Sequence, residues 1–448
     1  MLDRRDTLKA LATAPVFYSL SSFQTWGADF ENRTNKRPRV AAIYTSFTYR
    51  SHAHVILENF LQPFLFCGEV TDPGVDVVSF YRDQTPAGDM TDEIAQKYNI
   101  PIFKTIREAL RVGGSELAVD AVLSIGEHGS YPRNEFGQVM YPRKRFFDEI
   151  VAVMKEENRF LPVFNDKHLS YRYDWAQEMA ETAEQHGIPF LAGSSVPLAQ
   201  RKPNIEIKNG ARIQEAVSIH GGPVESYDFH ALEVLQSMVE NRRGGETGVK
   251  RITFYEGEQV YVAAKAGIFD WGLVESAMHA ETGRKETRLE SIGDEEPITP
   301  HAIVLEYIDG FKATVLRAGR SSTRWNFACR LKGRKAPLAT SFYVGPWENR
   351  NLFKALSHAI QIHFRTGKPP YPVERTLFVS GILDAAMKAR KAAGHPLHTN
   401  QLHFQYQASD FSAVRENGKS WDIITEDIPQ PESFDNGTPN TGKPVTAE

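Results

Sequence analysis

Residues 39–52 read RVAAIYTSFTYRSH: an apolar run, then a turn rich in hydroxyls and aromatics, leading into HVILENFL at 54–61. The run Val40–Ile43 predicts a buried strand and HVILENFL predicts a helix, so the residues between them make a tight strand-to-helix turn. In a nucleotide-binding sheet that turn is rich in glycine, because the chain bends sharply and a pyrophosphate approaches its backbone. This turn contains no glycine. Either a dinucleotide site has lost its glycines, or the turn serves a fold without that cofactor.

The flanking pattern is regular. VDVVSFY (75–81), VDAVLSI (119–125), LPVFND (161–166) and IPFLAGS (188–194) are short apolar runs expected as strands. Between them DEIAQKY (92–98), FKTIREALRV (103–112), FFDEIVAVMKEE (146–157) and YDWAQEMAETAEQH (173–186) repeat apolar residues at helical spacing. In the last, Trp175, Met179, Ala180 and Ala183 are expected on one face, with Gly187 as the stop. Alternating strands and helices imply right-handed crossovers and a doubly wound parallel sheet, whose ligands lie beyond the carboxyl ends of the strands.

From about Gln200 the pattern changes. VKRITFYEGEQVYVAAKAG (249–267), HAIVLEYIDGFKATVLRA (301–318) and KAPLATSFYVG (335–345) predict strands and hairpins with EG and DG turns. Helices are expected at 228–241, 347–367 and 374–394. The fold class is therefore α/β: a Rossmann-like parallel sheet over 36–200, followed by an α+β domain over 201–405 with a large, mostly antiparallel sheet. Residues 1–35 form a leader and linker, and 406–448 a C-terminal extension whose end, PQPESFDNGTPNTGKPVTAE, is expected to be disordered.

The whole chain has 448 residues, 41% hydrophobic and 24% charged, with a formal net charge of -4. That balance lacks the basic footprint of a nucleic-acid binder. Cys67 and Cys329 are the only cysteines and form no CxxC pattern, so neither a disulfide framework nor a cysteine-rich zinc site is indicated. Arg4 and Arg5 precede the apolar ALATAPVFYSL, the pattern of a twin-arginine export signal, which places the protein in the periplasm or outside. A basic start to a short amphipathic helix, in a cytoplasmic protein, is the alternative. No other stretch approaches the ~20 apolar residues of a membrane span.

Four pieces in order, YTSFTYRSH, SIGEHG, NDKHLS and FLAGSSVPLAQRKP, together with FRTGKPPYPVERTLFVSGILDAAMKA near the C-terminus, resemble the Gfo/Idh/MocA oxidoreductase family. The resemblance spans about Arg39 to Gly394. It implies an NAD- or NADP-dependent oxidoreductase acting on a sugar, polyol or derivative, and a homo-oligomer formed through the outer face of the second sheet. By position, the family's three glycines become Tyr44, Ser46 and Tyr49, with Thr45 among the hydroxyl partners of the anion and His52 closing the motif. Asp83 stands near the ribose-binding acid, and Glu127 and His128 at the nicotinamide side of the cleft. The family's EKP motif becomes Asp166-Lys167-His168, with Asp166 beside the cofactor and His168 beside the substrate. Lys167 and His230 are implied as the proton-transferring pair. The family's acid position is Ser226 here, so Asp228 or Glu225 would have to take its place. Arg201 and His220 complete the implied substrate side.

A different class remains open on the same residues: a carbohydrate-binding protein, or a metal-assisted hydrolase, that has lost dinucleotide binding. Histidines 52, 54, 128, 168, 220 and 230 and Asp166 fall near predicted strand ends. On a helix, however, His52 and His54 point roughly 200° apart. No metal-ligand set is assigned, and Trp325 and Trp347 are expected in the core rather than as sugar platforms.

Overall fold

The computed structural model describes residues 36–434 apart from Thr287. The twin-arginine segment, residues 1–35, and the last part of the tail, residues 435–448, lie outside the described residues.

Six strands, β1 (Arg39–Tyr44), β2 (Asp76–Arg82), β3 (Ile102–Phe103), β4 (Ala121–Ile125), β5 (Val163–Asp166) and β6 (Phe190–Gly193), form a parallel sheet in the order β3-β2-β1-β4-β5-β6. The order reverses between β1 and β4, where such sheets place their ligands. β4 is buried at every position and β1 at all but its first, because helices cover both faces. Those helices are α1 (His52–Leu61), α2 (Thr91–Tyr98), α3 (Ile106–Arg111), α4 (Arg143–Glu156) and α5 (Tyr173–His186). α3 starts in a capping box of Thr105 and Glu108, and α5 stops at Gly187, whose φ of 62° is left-handed. The face that α5 buries is Tyr173, Ala176, Met179 and Ala183, whereas Trp175 lies at its edge and is half-buried.

The second sheet has eight strands: β7 (Gln200–Lys202), β8 (Ile213–His220), β9 (Val249–Glu256), β10 (His301–Tyr307), β11 (Lys312–Arg317), β12 (Trp325–Leu331), β13 (Leu338–Tyr343) and β14 (Leu397–His398). Its order is β14-β9-β10-β11-β8-β12-β13-β7, antiparallel except for the β8–β11 pair. The β10–β11 hairpin turns at Asp309-Gly310, as its DG signal predicts. The expected hairpin at Glu256-Gly257 is instead a strand-to-helix junction, since Gly257 caps α7 (Glu258–Lys265) and Val260 and Ala263, three apart, form its buried face. Together with α8 (Trp271–Thr282), α7 covers the sheet face that presents Val217, Ile219, Ala302, Val304, Leu316 and Ala328. The outer face on which the resemblance placed a homo-oligomer contact is thus occupied by the chain's own helices.

The opposite face receives α6 (Ser226–Val239) and α10 (Val373–Lys391), while α9 (Asn349–Thr366) packs on α1. α10 joins the sheets: Thr376 Oγ1 donates to Ala192 O at 3.1 Å, Ser380 Oγ accepts from Leu169 N at 3.1 Å, and α10 also packs on β9. From Pro38 onward the described residues form one compact unit. No helix among the described residues is long and apolar enough to cross a membrane.

The α1–α9 contact holds a fully buried ion pair, Glu58 with Arg350 (Nε to Oε2 3.1 Å). Burial pushes the Glu58 carboxyl up, but the nearby His54 imidazole and the Arg350 guanidinium outweigh it and bring it down to about 2. Its stabilisation is therefore complete above the ordinary value of 4.5 and is lost as pH falls toward 2. Arg350→Ala, which strands the carboxylate, is expected to destabilise the fold by about 3–5 kcal/mol in urea denaturation. Adding Glu58→Gln should restore part of that loss.

Candidate functional site

At the carboxyl ends of β4 and β5, opposite the start of α6, lies a cleft of about 360 Å³. Its lining includes Glu127, His128, Lys167, Glu225 and His230, with Tyr227 and Trp325 on the side of the second sheet. Three of these residues are non-glycines at positive φ: His128 at 71°, Lys167 at 64° and Glu225 at 73°. Such conformations cost on the order of 1–3 kcal/mol each and persist where the surroundings over-determine them. Glu225, at ψ -65°, is the centre of a γ-turn closed by Ser226 N donating to Val224 O at 3.0 Å, a rare and strained form.

Electrostatics fix the floor. Lys167 Nζ is 2.9 Å from Glu127 Oε1, and the Arg143 guanidinium donates to the other carboxylate oxygen. Burial pushes the Glu127 carboxyl up, but Lys167 and Arg143 hold it well below the usual carboxylate range. His128 accepts from His52 N at 3.3 Å through Nδ1, and His52 Nδ1 lies 2.6 Å from Asp166 Oδ2. Burial, reinforced by His52, brings the His128 imidazole down to about 4. His230 is oriented by Ser194 Oγ, 2.6 Å from its Nδ1, and burial with nearby Lys167 keeps it well below its ordinary value. At neutral pH the His128 and His230 imidazoles are therefore uncharged beside the Lys167–Glu127 pair, while a third imidazole of the lining, His52, is held by Asp166.

Asp228, implied as catalytic, does not line this cleft. Its Oδ1 accepts from His220 Nε2 at 2.9 Å and His301 Nε2 at 2.7 Å, and its Oδ2 accepts from Glu225 N at 2.7 Å. Burial pushes the carboxyl up, but the two imidazoles bring it far below the usual range. It is a positioning residue that holds the Glu225 turn. The three ligand-type atoms lie within 4.8 Å of one another, the spacing of a metal site. His220 Nδ1, however, accepts from Gly222 N at 3.3 Å, so the proton of this neutral imidazole sits on Nε2 and is given to Asp228. A metal would need that lone pair, and the donor set suits a hydrogen-bonded hub better. His220 is accordingly beneath the cleft rather than on its substrate side.

The residues of the implied dinucleotide turn are packed within the protein. Tyr44, Thr45 and Phe47 are fully buried and Ser46 is 1% exposed. Tyr44 lies in the core against Phe47 and Phe80, its hydroxyl 3.2 Å from Thr91 Oγ1. Thr45 N donates to Ile125 O at 3.2 Å and Thr45 Oγ1 to Glu127 O at 2.5 Å, which laces β1 to β4 across the switch point. From the other side Asp83 N donates to Tyr44 O at 3.0 Å, Gln84 N to Thr45 O at 2.8 Å, and Phe47 N to Asp89 Oδ2 at 3.0 Å. Gln84 is tied in turn to the backbone of Ser130. Asp83 is engaged by Tyr81 (2.8 Å), Tyr131 (2.6 Å) and Arg145. Above the turn, Tyr49 Oη donates to Pro431 O at 2.9 Å and Phe434 packs on Phe47 and His54, so residues 431–434 of the expected disordered tail are seated here. The α1 N-terminus is capped from within, His52 N by His128 and His54 N by Ser51 Oγ at 3.4 Å. Tyr44, Thr45, Ser46, Tyr49 and Asp83 are therefore each engaged by contacts within the fold.

Other implied residues also fall away from the cleft. His168 is buried against Arg143 (NH1 to Nε2 3.1 Å), and Arg201 pairs with Glu206 Oε2 at 2.9 Å beside Phe342. His54 turns into the core, as the helical angle predicts, accepting from Arg50 N at 2.7 Å. In contrast, Ser195 and Trp325 line the cleft without having been assigned to it, and Glu225 takes the place next to the missing family acid.

No family model and no curated protein matches the sequence. The fold matches solved Gfo/Idh/MocA-type dehydrogenases. GenD2 from gentamicin A biosynthesis, crystallised in complex with NAD, superposes with a TM-score of 0.52 at 12% identity over 82% of this chain and 97% of that one. The apo scyllo-inositol dehydrogenase of Lactobacillus casei gives 0.50 at 10% identity over 81% and 98%. Titration with NAD(H) or NADP(H) to millimolar concentration, followed by calorimetry, is expected to show no binding. A saturable isotherm would mean that the covered turn opens.

Proposed function

We propose that the protein binds a neutral polyhydroxylated small molecule, a sugar or polyol, in the cleft and moves protons on it without a nicotinamide cofactor. Three buried polar atoms carry this assignment: Ser195 Oγ, Glu225 Oε1 and Trp325 Nε1 have no hydrogen-bond partner, and all three residues line the cleft. Glu225 Oε1 is 3.5 Å from His168 Nε2 without forming a hydrogen bond. Leaving such an atom unpaired costs about 1–3 kcal/mol, so three on residues around one cavity favour a ligand whose entry completes them. An indole donor, a carboxylate acceptor and a hydroxyl that does either match a set of hydroxyls, and Tyr227 stacked on Trp325 (4.9 Å) offers an aromatic wall.

The chemistry that fits is general acid–base transfer. With Nδ1 of His230 turned to Ser194, its Nε2 takes a proton from a ligand hydroxyl or an acidic carbon. The Lys167 ammonium, held by Glu127, stabilises the oxyanion that forms, and the His128 Nε2–H orients it. An NAD(P)-dependent oxidoreductase, the activity implied by the resemblance and by the fold match, requires a dinucleotide to reach a turn that protein covers.

Ligand-observed NMR against single-ring sugars and polyols is expected to find a binder, whose affinity Glu225→Gln weakens about tenfold while the melting temperature holds. Binding should persist from pH 8 to about pH 5 and fall as pH approaches 4, where His128 gains a proton and places a second cation beside Lys167. No sugar binding at millimolar concentration, or robust NAD(P)-dependent turnover, would overturn the proposal.

A further inference from the structure

We infer a second sugar subsite beside the cleft, so that the natural ligand is a glycoside or oligosaccharide rather than a single ring; this rests on the cleft being a sugar or polyol site. A groove of about 420 Å³ runs between Met140–Glu149 and the start of α5, with Tyr141, Tyr171 and Trp175 among its walls. Tyr141 also lines the cleft, so the two spaces meet across one side chain.

The aromatic walls are built rather than loose. Tyr171 and Trp175 meet edge to face at 5.4 Å, and the Arg172 guanidinium stands 4.7 Å from the Trp175 ring. Gln138 Nε2 donates to Tyr171 O at 2.9 Å, which ties the loop bearing Tyr141 to the opposite wall. Arg143 stacks at 4.9 Å on Tyr141 while its guanidinium holds Glu127, so one side chain sets both the junction and the floor of the cleft. Trp175 is half-buried at the edge of the buried face of α5, a position that core packing does not require.

The charges of the groove select the ligand class. Lys144 Nζ is paired with Asp148 Oδ2 at 2.7 Å and Glu178 Oε1 at 3.0 Å, and Arg145 with Glu149 Oε1 at 3.1 Å and with Asp83. Paired charges leave polar edges without a net field, which suits a neutral ligand with an apolar ring face and hydroxyl edges. A phosphate-bearing ligand would find no bare cation there.

Calorimetric titration with glucose, galactose, mannose and myo-inositol as single-ring probes, and cellobiose, maltose and lactose as two-ring probes, tests this. At least one disaccharide is expected to bind about tenfold more tightly than its single-ring counterpart. Trp175→Ala should remove that gain and leave single-ring affinity unchanged, and Tyr171→Ala should do the same, with circular dichroism reporting the fold of both. A gain that survives both substitutions, or single rings that bind as tightly as every disaccharide, would overturn the subsite while the cleft assignment stands. Failure of every probe to bind would overturn the cleft assignment and the subsite together.

Discussion

Glu127 is the residue on which the site depends. Its carbonyl accepts the Thr45 hydroxyl and its carboxylate is clamped between Lys167 and Arg143. The first contact closes the turn after β1; the second fixes Lys167, at positive φ, on the cleft floor. A carboxylate buried this deeply is stable only with both cations present, because the desolvation penalty of a lone charge exceeds what one partner returns. The two cations are in turn immobilised by it. Closing the dinucleotide crevice and arranging the cleft are thus one structural event.

The other wall is held by a second buried carboxylate. Asp228 gathers two imidazoles and the Glu225 N–H, and so holds the γ-turn at the edge of the cleft. With Glu127 on one side and Asp228 on the other, three residues that line the cleft, His128, Lys167 and Glu225, are held at positive φ. Strain of this kind fits preorganisation: the donors and acceptors stand in position before a ligand arrives, and binding does not have to order them.

The architecture was legible in the sequence because it is a matter of period and punctuation. Apolar runs separated by helical spacing fixed the parallel sheet, and Asp309-Gly310 and Gly187 marked a hairpin and a helix stop. Glu256-Gly257 misled because a glycine at positive φ serves a helix N-terminus as readily as a hairpin. The positions of Lys167, His230, Glu127 and His128 were also legible, since they sit at strand ends or on a helix start that topology brings together. Asp228, His220 and Arg201 were not, because residue type cannot tell whether a polar group faces a cavity or another buried polar group. Trp325 was hidden for the same reason: its ring belongs to the core, and only the fold shows that it also borders the cleft.

The glycine-free turn shows how side chains can close a strand-to-helix junction of this fold. Glycine at such a turn leaves a gap that a pyrophosphate fills; tyrosine, serine and phenylalanine fill it with side chains, and the fold gains their burial in exchange. Once Tyr44 and Phe47 have packed with Phe80 and Phe434, reopening the crevice would expose apolar surface and unpair the backbone bonds from Asp83, Gln84 and Asp89. A bound nucleotide would have to outweigh all of these at once. The cleft on the far side of Glu127 is under no such constraint, and there the polar atoms stay unpaired. Selection for stability alone would have filled both spaces, so the one left open, lined by Glu127, Lys167, Glu225 and His230, is the space to which the proposed ligand is assigned.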